Sequence, residues 1–217
     1  GAAARRANEG QAGVRVDVGG RDELAALADC FNRMTANWEA THASLKTEAI
    51  EDPLTGVLNR RGILSRLDVE LDLHRSGRQT LSIMAMVLDR FKFINDHYGH
   101  SVGDRALEWV ADTLRSMLRE SDHLGRHGGD EFIAVLPRTS RAEAQEIAHR
   151  IGEVVREAAA RAAVYPEITI GVATMPDDGD QAKALLEAAD ARLYAQKHRR
   201  ATDGAESASS LNQSSSL

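Results

Sequence analysis

The chain carries one cysteine, Cys30, in 217 residues. A lone thiol excludes an intrachain disulfide framework and suits a reducing compartment. An excess of basic charge is missing too. Against 33 Asp and Glu stand 27 Lys and Arg, for a formal net charge of −6. Bulk electrostatic attraction to nucleic acid is therefore not indicated. No apolar run reaches membrane-spanning length, and the longest, Leu81 to Leu88, is broken by Ser82. No signal peptide is visible. The length suits one domain of ordinary size with an appendage. The opening Gly1-Ala2-Ala3-Ala4 reads as a boundary inside a longer protein. Residues 201–217 are rich in Ser and Ala without periodicity, which predicts a disordered tail.

What is present has clear periodicity. Leu24, Leu27, Phe31, Met34 and Trp38 are spaced alternately three and four apart. That is the narrow seam of a coiled coil, and it predicts pairing of two copies through this helix. Cys30 lies inside the pattern, where packing is its expected role. Asp52-Pro53 reads as an N-cap followed by proline in the first turn of a helix reaching about His74. A strand is expected at 81–88, a helix at 103–118 and a hairpin at 123–136. A helix at 140–160, a strand at 167–173 and a helix at 181–197 follow. Strands and helices interleave around a central hairpin, which predicts an α/β or α+β sandwich of helices packed on one sheet. The organisation is then 1–51 signalling helix, 52–200 main domain and 201–217 tail.

The hairpin holds the most informative residues, Arg126-His127-Gly128-Gly129-Asp130-Glu131-Phe132. The glycine pair predicts a two-residue turn with both glycines at positive φ. A loop without side chains admits a ligand closely, and the two acids behind it suit a divalent cation. By itself the stretch also fits a plain surface hairpin with solvated acids.

The segment resembles the signature of GGDEF-type diguanylate cyclases, which join two GTP molecules into cyclic di-GMP. The resemblance runs from about Asp52 to Lys197 and includes Asp89-Arg90-Phe91-Lys92-Phe93-Ile94-Asn95-Asp96-His97-Tyr98-Gly99-His100, continuing to Asp104. It implies the fold of class III nucleotidyl cyclases, a central sheet with surrounding helices. It also implies GTP as substrate, cyclic di-GMP as product, Mg2+ or Mn2+ as cofactor, and a homodimer as the working unit. Asn95 and Asp104 are assigned to guanine. A carboxylate accepts from the N1–H and exocyclic amine of guanine, a pair of donors that adenine lacks. A helix N-cap near Gly103 is the plainer role for Asp104. Lys92, His100, Gly128, Gly129 and Lys197 are assigned to the rest of the substrate. Asp130 and Glu131 are the catalytic and metal-holding acids. Arg119 and Asp122 form an RxxD pair six residues ahead of the glycine pair, at the place of the family's product-inhibitory site, and Arg126 is grouped with them.

Two positions depart from the family pattern. Val87 occupies the place of a metal-binding Asp, and valine has no ligand atom. Asp89 shares its face of the strand, but sits roughly 6–7 Å further along. The closing motif continues His198-Arg199-Arg200-Ala201, so a second phosphate-binding arginine is displaced and Arg200 is its candidate replacement. A weakly active cyclase and a silent receptor for GTP or cyclic di-GMP both fit these departures. Residues Val16 to Leu24, with Phe31 to Met34, resemble the second half of a HAMP domain. That implies a cytoplasmic output domain of an inner-membrane bacterial sensor, its membrane segment lying upstream of this chain.

Overall fold

The computed structural model describes residues 30–34, 36, 50–77 and 79–214. The chain divides into two compact units, Gly1–Ala49 and Ile50–Leu217. In the first, residues 30–34 are helical, with Phe31 half-buried and Cys30 exposed. The expected packing role of Cys30 is thus not seen. Leu24, Leu27 and Trp38 lie outside the described residues, as does the HAMP-like stretch 16–24.

The second unit runs α1 (Arg60–Gly77), β1 (Leu81–Asp89), α2 (Phe91–Tyr98), α3 (His100–Met117), β2 (His123–Arg126), β3 (Glu131–Pro137), α4 (Arg141–Arg161), β4 (Glu167–Met175) and α5 (Ala182–Ser214). The strands form one sheet in the order β2-β3-β1-β4. Every neighbouring pair is antiparallel. The architecture is α+β, and no described helix is long and apolar enough to cross a membrane.

Alternation along the strands supplies both faces of the core. Met84, Met86 and Leu88 of β1 join Phe132, Ala134 and Leu136 of β3 on one face. Leu107, Val110 and Leu114 of α3 and Ile147, Ile151 and Val155 of α4 cover it. Leu81, Ile83 and Ala85 point the other way, with Ile133 and Val135. Ile63, Leu67 and Leu71 of α1 and Leu185 and Ala189 of α5 cover that face at helical spacing. Central β1 is buried on both faces, so it reads as a continuous apolar run. A buried Ser82 Oγ is satisfied by Thr139 O and Thr174 Oγ1, each at 2.8 Å.

Two expectations need correction. The first helix does not begin at Asp52. Asp52 accepts from Thr55 N–H and Oγ1 at 2.9 and 2.7 Å and closes a single turn. Gly56, at φ 64, ends that turn. Asn59 Oδ1 then accepts from Gly62 N–H at 3.0 Å and caps α1. The helix expected at 103–118 starts at His100, split from α2 by Gly99 at φ 86. At the other end of the domain, α5 runs to Ser214.

Candidate functional site

β1, the β2–β3 hairpin and the start of α2 meet at one end of the sheet. Val87 lies directly opposite Glu131 of β3 on one side and Thr169 of β4 on the other. These residues form one row on the face covered by α1 and α5. Glu131 is exposed, Asp130 is half-buried and Val87 is buried. The hairpin is tied to β1 by Leu88 N–H donating to Asp130 O at 3.0 Å. Sequence reasoning missed His127, whose main-chain N–H donates to Glu131 O at 2.8 Å. Its Nδ1 is buried with no partner among the described residues.

The turn is not the tight one expected. Neither Gly128 nor Gly129 takes the left-handed φ that such a turn requires. The connection spans residues 127–130, and this greater length removes the need for positive φ. Arg126 holds it from beneath. Its Nη2 and Nε donate to Gly129 O at 2.7 and 3.2 Å. Its Nη1 reaches Asp52 at 3.2 and 3.3 Å. Burial pushes the Asp52 carboxyl up, but the Thr55 hydrogen bonds and the Arg126 charge outweigh it and hold the carboxyl below its ordinary value. Arg126, which the sequence grouped with Arg119 and Asp122, thus ties the hairpin to Asp52.

Asp89 is engaged on the side away from the hairpin. Thr169 Oγ1 donates to its Oδ2 at 2.6 Å, and Lys197 Nζ lies 3.7 Å from its Oδ1. Gly171 allows this, because a Cβ there would overlap Ala189 O and hold α5 off β4. Asp89 thus meets Thr169 and Lys197 on the β4 side of β1. Among the described residues, no group of three or more His, Cys, Asp or Glu stands close enough to hold a metal ion. The donor set at the hairpin is two carboxylates. That fits a hard cation held mainly by phosphate oxygens and water, as Mg2+ is.

The helix pair leaving β1 carries the residues that the sequence assigned to guanine. Asn95 of α2 packs against Gly103 of α3, where any Cβ would overlap its amide oxygen. That oxygen is buried and has no partner among the described residues. Asp104 follows Gly103 and is exposed. Gly99, not Asp104, occupies the N-cap of α3, so the plainer role considered for Asp104 is not the one it plays. Lys92 and His100 are exposed at the first turns of α2 and α3. On α5, Arg200 falls in the helix with its side chain outside the described residues.

The RxxD pair forms a closed turn. Asp122 N–H donates to Arg119 O at 3.0 Å, and Arg119 N–H donates to Asp122 Oδ2 at 2.8 Å. Asp122 Oδ1 is buried without a partner among the described residues. The turn opens on a cleft of 290 Å³ that Arg66, Arg115 and His123 also line. Sequence reasoning missed Arg66 and Arg115. They sit on the outer sides of two helices, where arginine is ordinarily solvated.

Residues 49–203 match the family described as "Diguanylate cyclase, GGDEF domain". Diguanylate cyclase DgcP of Pseudomonas aeruginosa is 35% identical over 193 residues, covering 86% of this chain and 28% of that protein. Diguanylate cyclase TpbB of the same species is 37% identical over 194 residues, covering 84% and 45%. The chain thus spans less than half the length of these relatives. The GGDEF domain of DgcB from Caulobacter crescentus, solved in complex with c-di-GMP, superposes with a TM-score of 0.63. It is 26% identical and covers 69% of this chain and 91% of that one.

Proposed function

The chain belongs to the GGDEF family of diguanylate cyclase domains, and on that premise we propose that it binds GTP and condenses two GTP molecules into cyclic di-GMP as a dimer, at a rate held down by Val87. The observation that carries the reading is the buried amide oxygen of Asn95, without a partner among the described residues, beside Gly103 and Asp104. A buried polar atom without a partner is costly, and a nucleobase amine would satisfy it.

In this reading Asn95 and Asp104 orient guanine, and Lys92, His100 and Lys197 face the phosphates. The 3′-hydroxyl of each GTP attacks the α-phosphorus of the other in turn, so that two phosphodiester bonds form and two pyrophosphates leave. Gly128 and Gly129 let the phosphate chain approach the main chain without obstruction. Glu131, exposed at the mouth, is placed to take the hydroxyl proton. Asp130 and Glu131 would hold Mg2+ or Mn2+, which when bound neutralises phosphate charge and polarises the attacking hydroxyl. Two sites must meet head to tail. The Leu24-Leu27-Phe31-Met34-Trp38 seam is the proposed means, and a HAMP-type input from a membrane segment upstream is the proposed control. The domain itself is proposed to work in the cytoplasm. Arg119 and Asp122 are proposed to bind the product.

The test is incubation of this chain, and of Val87→Asp, with GTP and Mg2+ or Mn2+, with cyclic di-GMP measured. A slow rate that rises per protomer with protein concentration supports the reading. Absence of product from both proteins, with no GTP binding, refutes it.

A further inference from the structure

We propose that the outer edge of β4, with the groove between α4 and α5 beside it, docks an extended acidic segment of another polypeptide, which adds to the sheet as a further strand. The inference does not depend on the nucleotide chemistry. β4 is the end strand of the sheet. Its outward groups are identified by what caps them. Arg192 Nη1 donates to Val172 O at 2.7 Å, and Thr174 N–H donates to Asp178 Oδ2 at 2.8 Å. By strand alternation, the N–H and C=O of Ile170 point the same way, away from β1. Side chains thus blunt the Thr174 end of the edge, and the stretch at Ile170 faces the groove.

The groove measures 530 Å³. Gly152 lines it from the middle of α4, and no atom lies within 4 Å of where its Cβ would stand. A glycine inside a helix is destabilising relative to alanine. No neighbour demands it here, and its φ is not left-handed. What the absent side chain provides is depth beside the open edge.

Charge selects the occupant. Arg156, Arg192, Arg199 and His149 line the groove, and among the described residues no Asp or Glu does. Arg156 pairs with Glu153 at the surface, both side chains exposed. Such pairs are weak, so an incoming carboxylate can compete. Arg192 keeps its Asp178 partner, yet a guanidinium has five donors. An extended segment with acids at alternate positions would present them to these cations while its main chain pairs with Ile170. In this mode main-chain bonds supply affinity and side chains supply selectivity.

The experiment uses the whole chain and fluorescence anisotropy. The probes are a labelled peptide alternating Glu and Val, a Lys–Val counterpart, and a Glu–Val peptide with a central proline. Saturable binding of the first alone is expected, with slowed hydrogen exchange at the Ile170 amide. Gly152→Leu should fill the groove, and Arg156→Glu should reverse its charge. Each should weaken binding roughly tenfold or more, the size of one charge-assisted contact. Arg156 is exposed, so its variant keeps the test decisive if Gly152→Leu unfolds. The proposal is overturned if the acidic peptide fails to saturate or the proline peptide binds equally well. Unchanged binding by both variants overturns it too. Loss of probe binding as the chain self-associates at rising protein concentration would assign the edge to a second copy, which also overturns it.

Discussion

Val87 stands directly opposite Glu131 across the β1–β3 ladder, at the place where a carboxylate would share a cation with the hairpin acids. It is buried at 8% exposure, so the site presents an apolar wall on its strand side. Val87→Asp is expected to raise cyclic di-GMP production on the order of a hundredfold, since one cation ligand supplies several kcal/mol to the transition state. GTP affinity should change far less, because phosphate oxygens and water already serve the ion. Equal turnover by both proteins would show that another group fills the role.

Thr169 is 1% exposed and was not singled out from the sequence. Its hydroxyl fixes Asp89, and Asp89 faces Lys197. Thr169→Val keeps the shape and removes one hydrogen bond to a charged acceptor, so a loss of about 1.5–3 kcal/mol in urea unfolding is expected. In the proposed reading Lys197 faces the phosphates, and it would lose the orientation that Asp89 gives it. GTP affinity should fall severalfold, and Thr169→Ser should restore it.

Gly103→Ala would thrust a methyl into the Asn95 amide. Overpacking of this kind costs about 1–3 kcal/mol. Here it should also displace a base-reading group, so discrimination of GTP from ATP should shrink along with stability. Titration calorimetry with both nucleotides, beside Asp104→Ala, separates the two effects. Asp104 is exposed, and its variant should lose selectivity while unfolding at the wild-type denaturant concentration.

Asp52 and Arg126 join the entry of the domain to the hairpin. The folded pKa of Asp52 lies below its ordinary value of about 4. Unfolded chains therefore bind more protons at this group. Its contribution is present above that value and is lost as pH falls through the folded pKa. Asp52→Asn keeps an acceptor for Thr55 but removes the charge from Arg126. A loss of about 1 kcal/mol at neutral pH is expected, shrinking as the wild-type carboxyl is protonated. Urea melts at neutral and acidic pH check the sign.

Much of the fold was legible because its signals are local. The unbroken apolar run of β1 announces a strand covered on both faces, and Ile147-Ile151-Val155 announces the inner side of α4. The hairpin, Asn95 and Asp104 were visible as motifs. The clamp on Gly129 was not, because Asp52 and Arg126 are 74 residues apart and meet only through packing. The same holds for Thr169 and Asp89, 80 residues apart. Local rules also compete. Asp52 is a good cap by type, yet Gly56 ends its turn and Asn59 caps the helix instead.

The RxxD turn provides the last test. Asp122 uses one carboxylate oxygen to hold Arg119 N–H and has the other buried without a partner among the described residues. Arg119 then shares a cleft with Arg66 and Arg115. A dinucleotide with two phosphates and two guanines matches this set, since arginine pairs bidentately with phosphate and a carboxylate reads the guanine edge. Arg119→Ala should weaken cyclic di-GMP binding by about 1.5–3 kcal/mol, roughly ten- to a hundredfold, measured by titration calorimetry. Asp122→Ala should weaken it further, because the turn itself opens. Arg126→Ala should matter less, since Arg126 is bonded to Gly129 and Asp52. Unchanged affinity in Arg119→Ala would leave the pair as a solvated helix end and place the product elsewhere.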